Sequence, residues 1–173
     1  MDHYTELARK TIYTFLKEKK IIQSPQNLPK EMLEKRAGVF VSLHKKSDNS
    51  LRGCIGTYLP TQENIALEII HNAISASIED PRFNPLAMPE LEDLDISVDI
   101  LSDPERIKNT DELDAKKYGI IIKSTDGRTG LLLPDIEGVE NVDEQISIAC
   151  QKAGISPSSE KFSIFRFTVT RHN

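Results

Sequence analysis

From Leu94 to Leu101, apolar and polar residues alternate: Leu94, Ile96, Val98 and Ile100 on one side, Asp95, Ser97 and Asp99 on the other. Successive side chains of a strand point to opposite faces, so the run predicts a strand with one covered and one solvated face. That belongs to an antiparallel sheet, because strands of an all-parallel sheet are covered on both faces and read as unbroken apolar runs. Asp95 and Asp99 are expected only to solubilise the outer face.

Two further stretches read as hairpins. Val39, Val41 and Leu43 alternate with Phe40, Ser42 and His44, a turn-forming run follows at Ser47–Ser50, and residues 51–55 alternate again. Farther on, Ile120–Ile122 and Leu131–Leu133 flank Asp126-Gly127, the strongest short hairpin signal in the chain. Each hairpin precedes a helix. The first is predicted over residues 62–79, with Thr61 as its cap and Ile65, Ala66, Ile69, Ile70, Ala73, Ile74 and Ser77 as its apolar stripe. It stops at Asp80-Pro81, since the residue before a proline is pushed out of the helical region. The second helix runs over about Val142–Lys152 and ends at Gly154. An N-terminal helix carries Tyr4, Leu7, Ala8, Ile12, Phe15 and Leu16 on one face, with Asp2 as its cap. The last strand is predicted as one piece, Phe162–Thr170.

The two hairpin-plus-helix units suggest an internal duplication: Gly53 lies 20 residues before Ala73, and Gly130 lies 19 before Ala149. The expected fold is α+β, with a mostly antiparallel sheet built from two such units. Residues 1–173 form one domain with two lobes and a cleft between them, the larger lobe holding the N-terminal helix.

The net charge is −5. Phosphate backbones are gripped by clustered Lys and Arg, so nucleic-acid binding stands as the third reading, with the acidic composition against it. The only cysteines are Cys54 and Cys150, and the lack of a short spacing between them excludes the usual zinc patterns and a disulfide scaffold, with a single bridge between the two as the lesser expectation in a reducing compartment. No histidine stands at a metal-ligand spacing, so no metal is expected and no cofactor is specified. The N-terminus carries no secretory or transit pattern and no run approaches membrane-spanning length; the expected location is cytoplasmic.

If the first hairpin turns near residue 48, Ser42 pairs opposite Cys54 and His44 opposite Arg52. Opposite residues share a face. One face is then a core of Val39, Val41, Leu43, Leu51 and Ile55; the other carries Phe40, Ser42, His44, Arg52 and Cys54. Gly53 and Gly56 flank the cysteine, as where another backbone or a ligand comes close. Arg52 is placed to favour the thiolate or to clamp a carboxylate or phosphate. Against this stands the ordinary use of a lone cysteine as a small buried hydrophobe, the reading given to Cys150. Asp80 and Arg82 are read as a loop ion pair capping the helix end, with direct ligand contact as the alternative.

The run Leu51-Arg52-Gly53-Cys54-Ile55-Gly56-Thr57 resembles the hallmark of the AMMECR domain family, also called AmmeMemoRadiSam system protein A. Further matches follow in the family's order: Gly38-Val39-Phe40-Val41, Asp80-Pro81-Arg82-Phe83, Ile96-Ser97-Val98, Tyr118-Gly119-Ile120 and Gly130-Leu131-Leu132-Leu133-Pro134. Two departures stand out. Tyr118 occupies a position that is often His in the family, and no Trp follows Pro134. The resemblance implies a two-lobed α+β fold with the Arg52 and Cys54 segment near the groove, and Memo-like and radical S-adenosylmethionine proteins as partners. On this reading Cys54 supplies a thiol, Arg52 orients an unidentified small anionic ligand, and Ser42, His44, Gly53, Gly56, Asp80 and Arg82 line the site. The alternative is a non-catalytic binding or adaptor module using the same segment.

Overall fold

The structure, a computed structural model, describes residues 2–173. In chain order its elements are α1 (His3–Glu18), α2 (Lys30–Glu34), β1 (Gly38–Lys45), β2 (Leu51–Thr57), α3 (Ile65–Ile78), β3 (Leu94–Leu101), β4 (Glu105–Arg106), β5 (Gly119–Ser124), β6 (Thr129–Leu132), α4 (Val142–Ala153), β7 (Phe162–Phe167) and β8 (Val169–His172). Short 3-10 turns at Met88–Asp93 and Thr110–Glu112 complete them. The mixed, mostly antiparallel α+β class read from the sequence is the one observed. The chain divides into two units, one running to Leu101 and including Thr170–Asn173, the other spanning Ser102–Val169.

The first unit holds a four-stranded sheet of order β2-β1-β3-β8. Alternation puts Val39, Val41, Leu43, Leu94, Ile96 and Val98 on one face, where they are buried with Leu7, Ala8 and Ile12 of α1 and Ile65, Ile69 and Ala73 of α3. Asp2 caps α1, its carboxylate accepting from the Tyr4 amide at 2.8 Å. The predicted stripe of α3 is buried throughout, but the helix begins later than expected, and its cap is Asn64, not Thr61. The Asn64 side chain accepts from the Leu67 amide at 2.9 Å, while the amide and hydroxyl of Thr61 both donate to the buried carboxylate of Glu68, at 2.8 Å each. Thr61 is thus occupied in tying the incoming loop to the helix.

The second unit holds a sheet of order β4-β7-β5-β6. Ile120, Ile122 and Leu132 are buried against Ala149, Cys150 and Ala153 of α4. Gly127 takes the positive φ that its turn requires (89°). Cys150 is fully buried, the small-hydrophobe role expected of it.

Both units contain a hairpin followed by an Asn-capped helix, Asn64 in one and Asn141 in the other. Each also contains a glycine against its helix backbone. A Cβ on Gly53 would lie 2.3 Å from the Ala76 carbonyl oxygen, and one on Gly130 would lie 2.0 Å from that of Ala149. The spacing that suggested a duplication thus has a structural counterpart, a glycine packed on the helix of its own unit in both cases. The predicted final strand is two strands. β7 pairs with β4 and β5, β8 belongs to the β3 edge of the other sheet, and Thr168 lies between them, exchanging hydrogen bonds with Ser102.

Candidate functional site

Cys54 lies on β2, an edge strand, and its register is the predicted one. Ser42 pairs opposite it, and Ser97 of β3 pairs opposite Ser42. These three side chains form a polar row on the face of the sheet away from α1 and α3. The Ser42 hydroxyl donates to Cys54 Sγ at 3.2 Å. Cys54 is half-buried.

An edge strand leaves backbone groups without a neighbour. At Cys54 both are satisfied by side chains from the segment after α3. Its N–H donates to Asp80 Oδ2 at 2.9 Å, and its carbonyl accepts from Arg82 Nη2 at 3.3 Å. Arg82 also grips the Asp80 carboxylate through Nε at 3.0 Å and Nη2 at 2.7 Å. The loop pair predicted as a helix cap is therefore a clamp on the cysteine backbone. Asp80 is nearly inaccessible, with 2% of its side chain exposed, whereas Arg82 is 55% exposed.

Arg82 holds the Asp80 carboxyl far below the usual carboxylate range, with the Cys54 amide adding to the effect against the opposing pull of burial. A depressed folded-state value stabilises the fold above the unfolded value, and the contribution fades as the pH falls through the folded one. Asp80→Asn, which keeps the shape and removes the charge, is expected to destabilise the protein by about 2 kcal/mol at pH 7, the scale of hydrogen bonds to a charged group. In urea unfolding at stepped pH, the deficit against wild type should narrow below the ordinary Asp value of 3.8.

The structure corrects three expectations about this face. First, Arg52 is not the thiol's companion. Its Nε and Nη2 donate to the two oxygens of Glu90 at 2.9 and 3.2 Å. Burial pushes the Cys54 thiol up; the Ser42 hydrogen bond and the Arg82 charge oppose this, while Asp99 and Asp80 add to it. The expected lowering by Arg52 is absent because that guanidinium is neutralised elsewhere. Second, His44 does not pair with Arg52. An irregularity between Leu43 and His44 advances the register by one, setting His44 opposite Leu51. His44 instead lines a cavity with Asp95 and Ser97. Third, Asp99 is not a solubilising residue. It is 1% exposed and takes two hydrogen bonds from Arg171, at 2.8 and 2.9 Å.

Gly53 and Gly56 both mark close approaches, by protein groups in each case. Gly53 meets α3, and Gly56, opposite Phe40 in register, lies under that residue's ring. Sequence reasoning missed Phe83, whose ring has the Arg52 guanidinium 5.8 Å and that of Arg82 5.6 Å from its centroid. The signals available were its place beside Arg82 and its membership of the Asp80-Pro81-Arg82-Phe83 block that resembles the family. Among the described residues no cluster of His, Cys, Asp or Glu is suited to a metal ion, and no helix is long and apolar enough to cross a membrane.

A family model described as AMMECR1 matches residues 5–172. A Thermotoga maritima protein is 51% identical over 169 residues, covering 98% of this chain and 96% of its own. A Clostridium acetobutylicum protein is 49% identical over 173 residues, covering 99% of this chain, and the match takes up 36% of that longer protein. The crystal structure of an uncharacterized Pyrococcus horikoshii protein superposes with a TM-score of 0.89 at 30% identity, over 97% of this chain and 88% of that one.

Proposed function

This chain belongs to the AMMECR1 family, and we propose that it is a binding protein whose recognition centre pairs the Cys54 thiol with the half-exposed Arg82 guanidinium. The clamp carries this reading: Asp80 and Arg82 fix the cysteine backbone from both sides while leaving the guanidinium open to solvent. A ligand with an anionic group would meet Arg82 and place its remainder against the thiol. Burial raises the thiol, which favours the neutral S–H, a weak donor and soft contact, over the thiolate. That observation favours the binding module over thiol catalysis, which needs the thiolate.

The match to about a third of the Clostridium protein supports a companion polypeptide for this domain. Memo-like and radical S-adenosylmethionine proteins, implied by the family resemblance, are the companions we propose.

Alkylation of the folded protein with neutral iodoacetamide and anionic iodoacetate tests the centre. At pH 7 Cys54 should react more slowly than free cysteine, with a rate rising through a pH above the free-thiol value of about 8.5, while buried Cys150 stays unlabelled. The iodoacetate-to-iodoacetamide rate ratio should exceed that of free cysteine and fall severalfold in Arg82→Gln. Labelling faster than free cysteine at pH 7 would hand the site to the nucleophile reading. Protection of both thiols until unfolding would remove the site.

A further inference from the structure

We propose that the cavity beside the β1–β2 turn is an oxyanion-binding site, separate from Cys54 and built around Arg52. It has a volume of about 580 Å³ and is lined by Lys45, Lys46, Ser47, Arg52, Glu90 and Asp93. Arg52 is the buried member, with 11% of its side chain exposed.

The Arg52 guanidinium is fixed before any ligand arrives. Glu90 holds two of its nitrogens, the Phe83 ring lies against it, and Glu90 is itself anchored by the Ala87 amide at 2.8 Å. Preorganisation of this kind reduces the entropy lost on binding. The third guanidinium nitrogen, Nη1, has no partner among the described residues and remains available as a donor.

The cavity also has charge to spare. The lining sets three cations, Lys45, Lys46 and Arg52, against two carboxylates, Glu90 and Asp93, with Asp48 acting on Lys45 from outside the lining. Lys46 Nζ donates to the Glu92 carbonyl at 2.7 Å, a contact that positions the ammonium without neutralising it. Among the described residues neither the Lys45 ammonium nor the Ser47 hydroxyl has a hydrogen-bond partner. A surplus cation in a wall of donors, on a protein of net charge −5, selects against amines and metal cations. It favours a small oxyanion, the phosphoryl or carboxylate group of a metabolite, which an arginine fork and nearby ammonium groups bind well.

The test is an amide chemical-shift titration of the intact chain with pyrophosphate and, separately, malonate, against sodium chloride at matched ionic strength. Saturable shifts are expected at residues 45–47, 52 and 93, and not with chloride. Tighter pyrophosphate binding assigns the phosphoryl class; tighter malonate binding assigns the carboxylate class. Lys45→Gln/Lys46→Gln changes exposed side chains and leaves the fold intact; it should weaken the apparent affinity at least tenfold. Arg52→Lys, which keeps the charge and loses the fork, should weaken it severalfold, and if that variant misfolds the double variant decides. Linear shifts without saturation, or equal binding by the double variant, overturn the proposal.

Discussion

Glu68→Ala is expected to lower the unfolding free energy by about 3 kcal/mol, more than any surface change in the same unit. Glu68 is fully buried one turn into α3. Its carboxylate accepts four hydrogen bonds, from the Thr57 hydroxyl at 2.7 Å, the Thr61 amide and hydroxyl at 2.8 Å each, and the Gln62 amide at 2.7 Å. Truncation leaves two backbone N–H groups without an acceptor and unties the β2–α3 loop. Burial alone would push this carboxyl up, but the four donors outweigh it and hold it below the ordinary Glu value of 4.5. The stabilisation is therefore present above that pH and fades as acid protonates the folded form. Glu68→Gln should recover only part of the loss, since its amide nitrogen turns a donor toward donors. Chemical denaturation of the three proteins at pH 7 measures the order. An alanine variant within 0.5 kcal/mol of wild type would mean that water replaces the carboxylate freely.

The second large effect is expected at Gly53. An alanine methyl there would sit 2.3 Å from the Ala76 carbonyl oxygen, and that atom belongs to a helix buried along most of its length. A backbone oxygen cannot swing aside, so α3 must retreat from the sheet or β2 must shift. The predicted loss is about 3 kcal/mol, the upper range of overpacking. Gly56→Ala supplies the contrast. Its methyl would meet the ring of Phe40, a half-buried side chain rather than helix backbone, and the loss should be smaller. Thermal unfolding of both variants separates the cases, and equal melting temperatures would contradict this account of the interface. Since Gly53 lies between Arg52 and Cys54, a folded Gly53→Ala protein should also show altered Cys54 labelling.

These two positions mark how far the chain can be read without coordinates. The hairpins, their turns and the Ser42–Cys54 register follow from alternation and turn chemistry, which act over a few residues. Asp80 and Arg82 were legible as a pair because only Pro81 separates them. The rest depends on partners distant in sequence. Arg52 was assigned to the thiol because its partner Glu90, 38 residues on, lies in a 3-10 turn that carries no periodic signal. Asp99 was assigned to solvent because alternation cannot show that Arg171, 72 residues on, covers it. The displacement of His44 came from a one-residue register irregularity, which flips the grouping along a strand and leaves no mark in composition. At α3, Thr61 and Asn64 are both good caps, and only the demand of Glu68 for Thr61 decides between them. The division at Thr168 interrupts a run with no glycine or proline to signal a break, because the choice of sheet for each half is made by tertiary pairing.

The return of β8 to the β3 edge has a consequence for biosynthesis. The sheet that carries Cys54 needs a strand translated some 70 residues after its other three. A ribosome therefore releases β1, β2 and β3 with the β3 margin bare, and Asp99 waits as an uncompensated carboxylate until Arg171 emerges. In the interval a nascent chain has an open hydrogen-bonding margin, a point where chaperone engagement or pairing with a neighbouring chain competes with completion of the sheet.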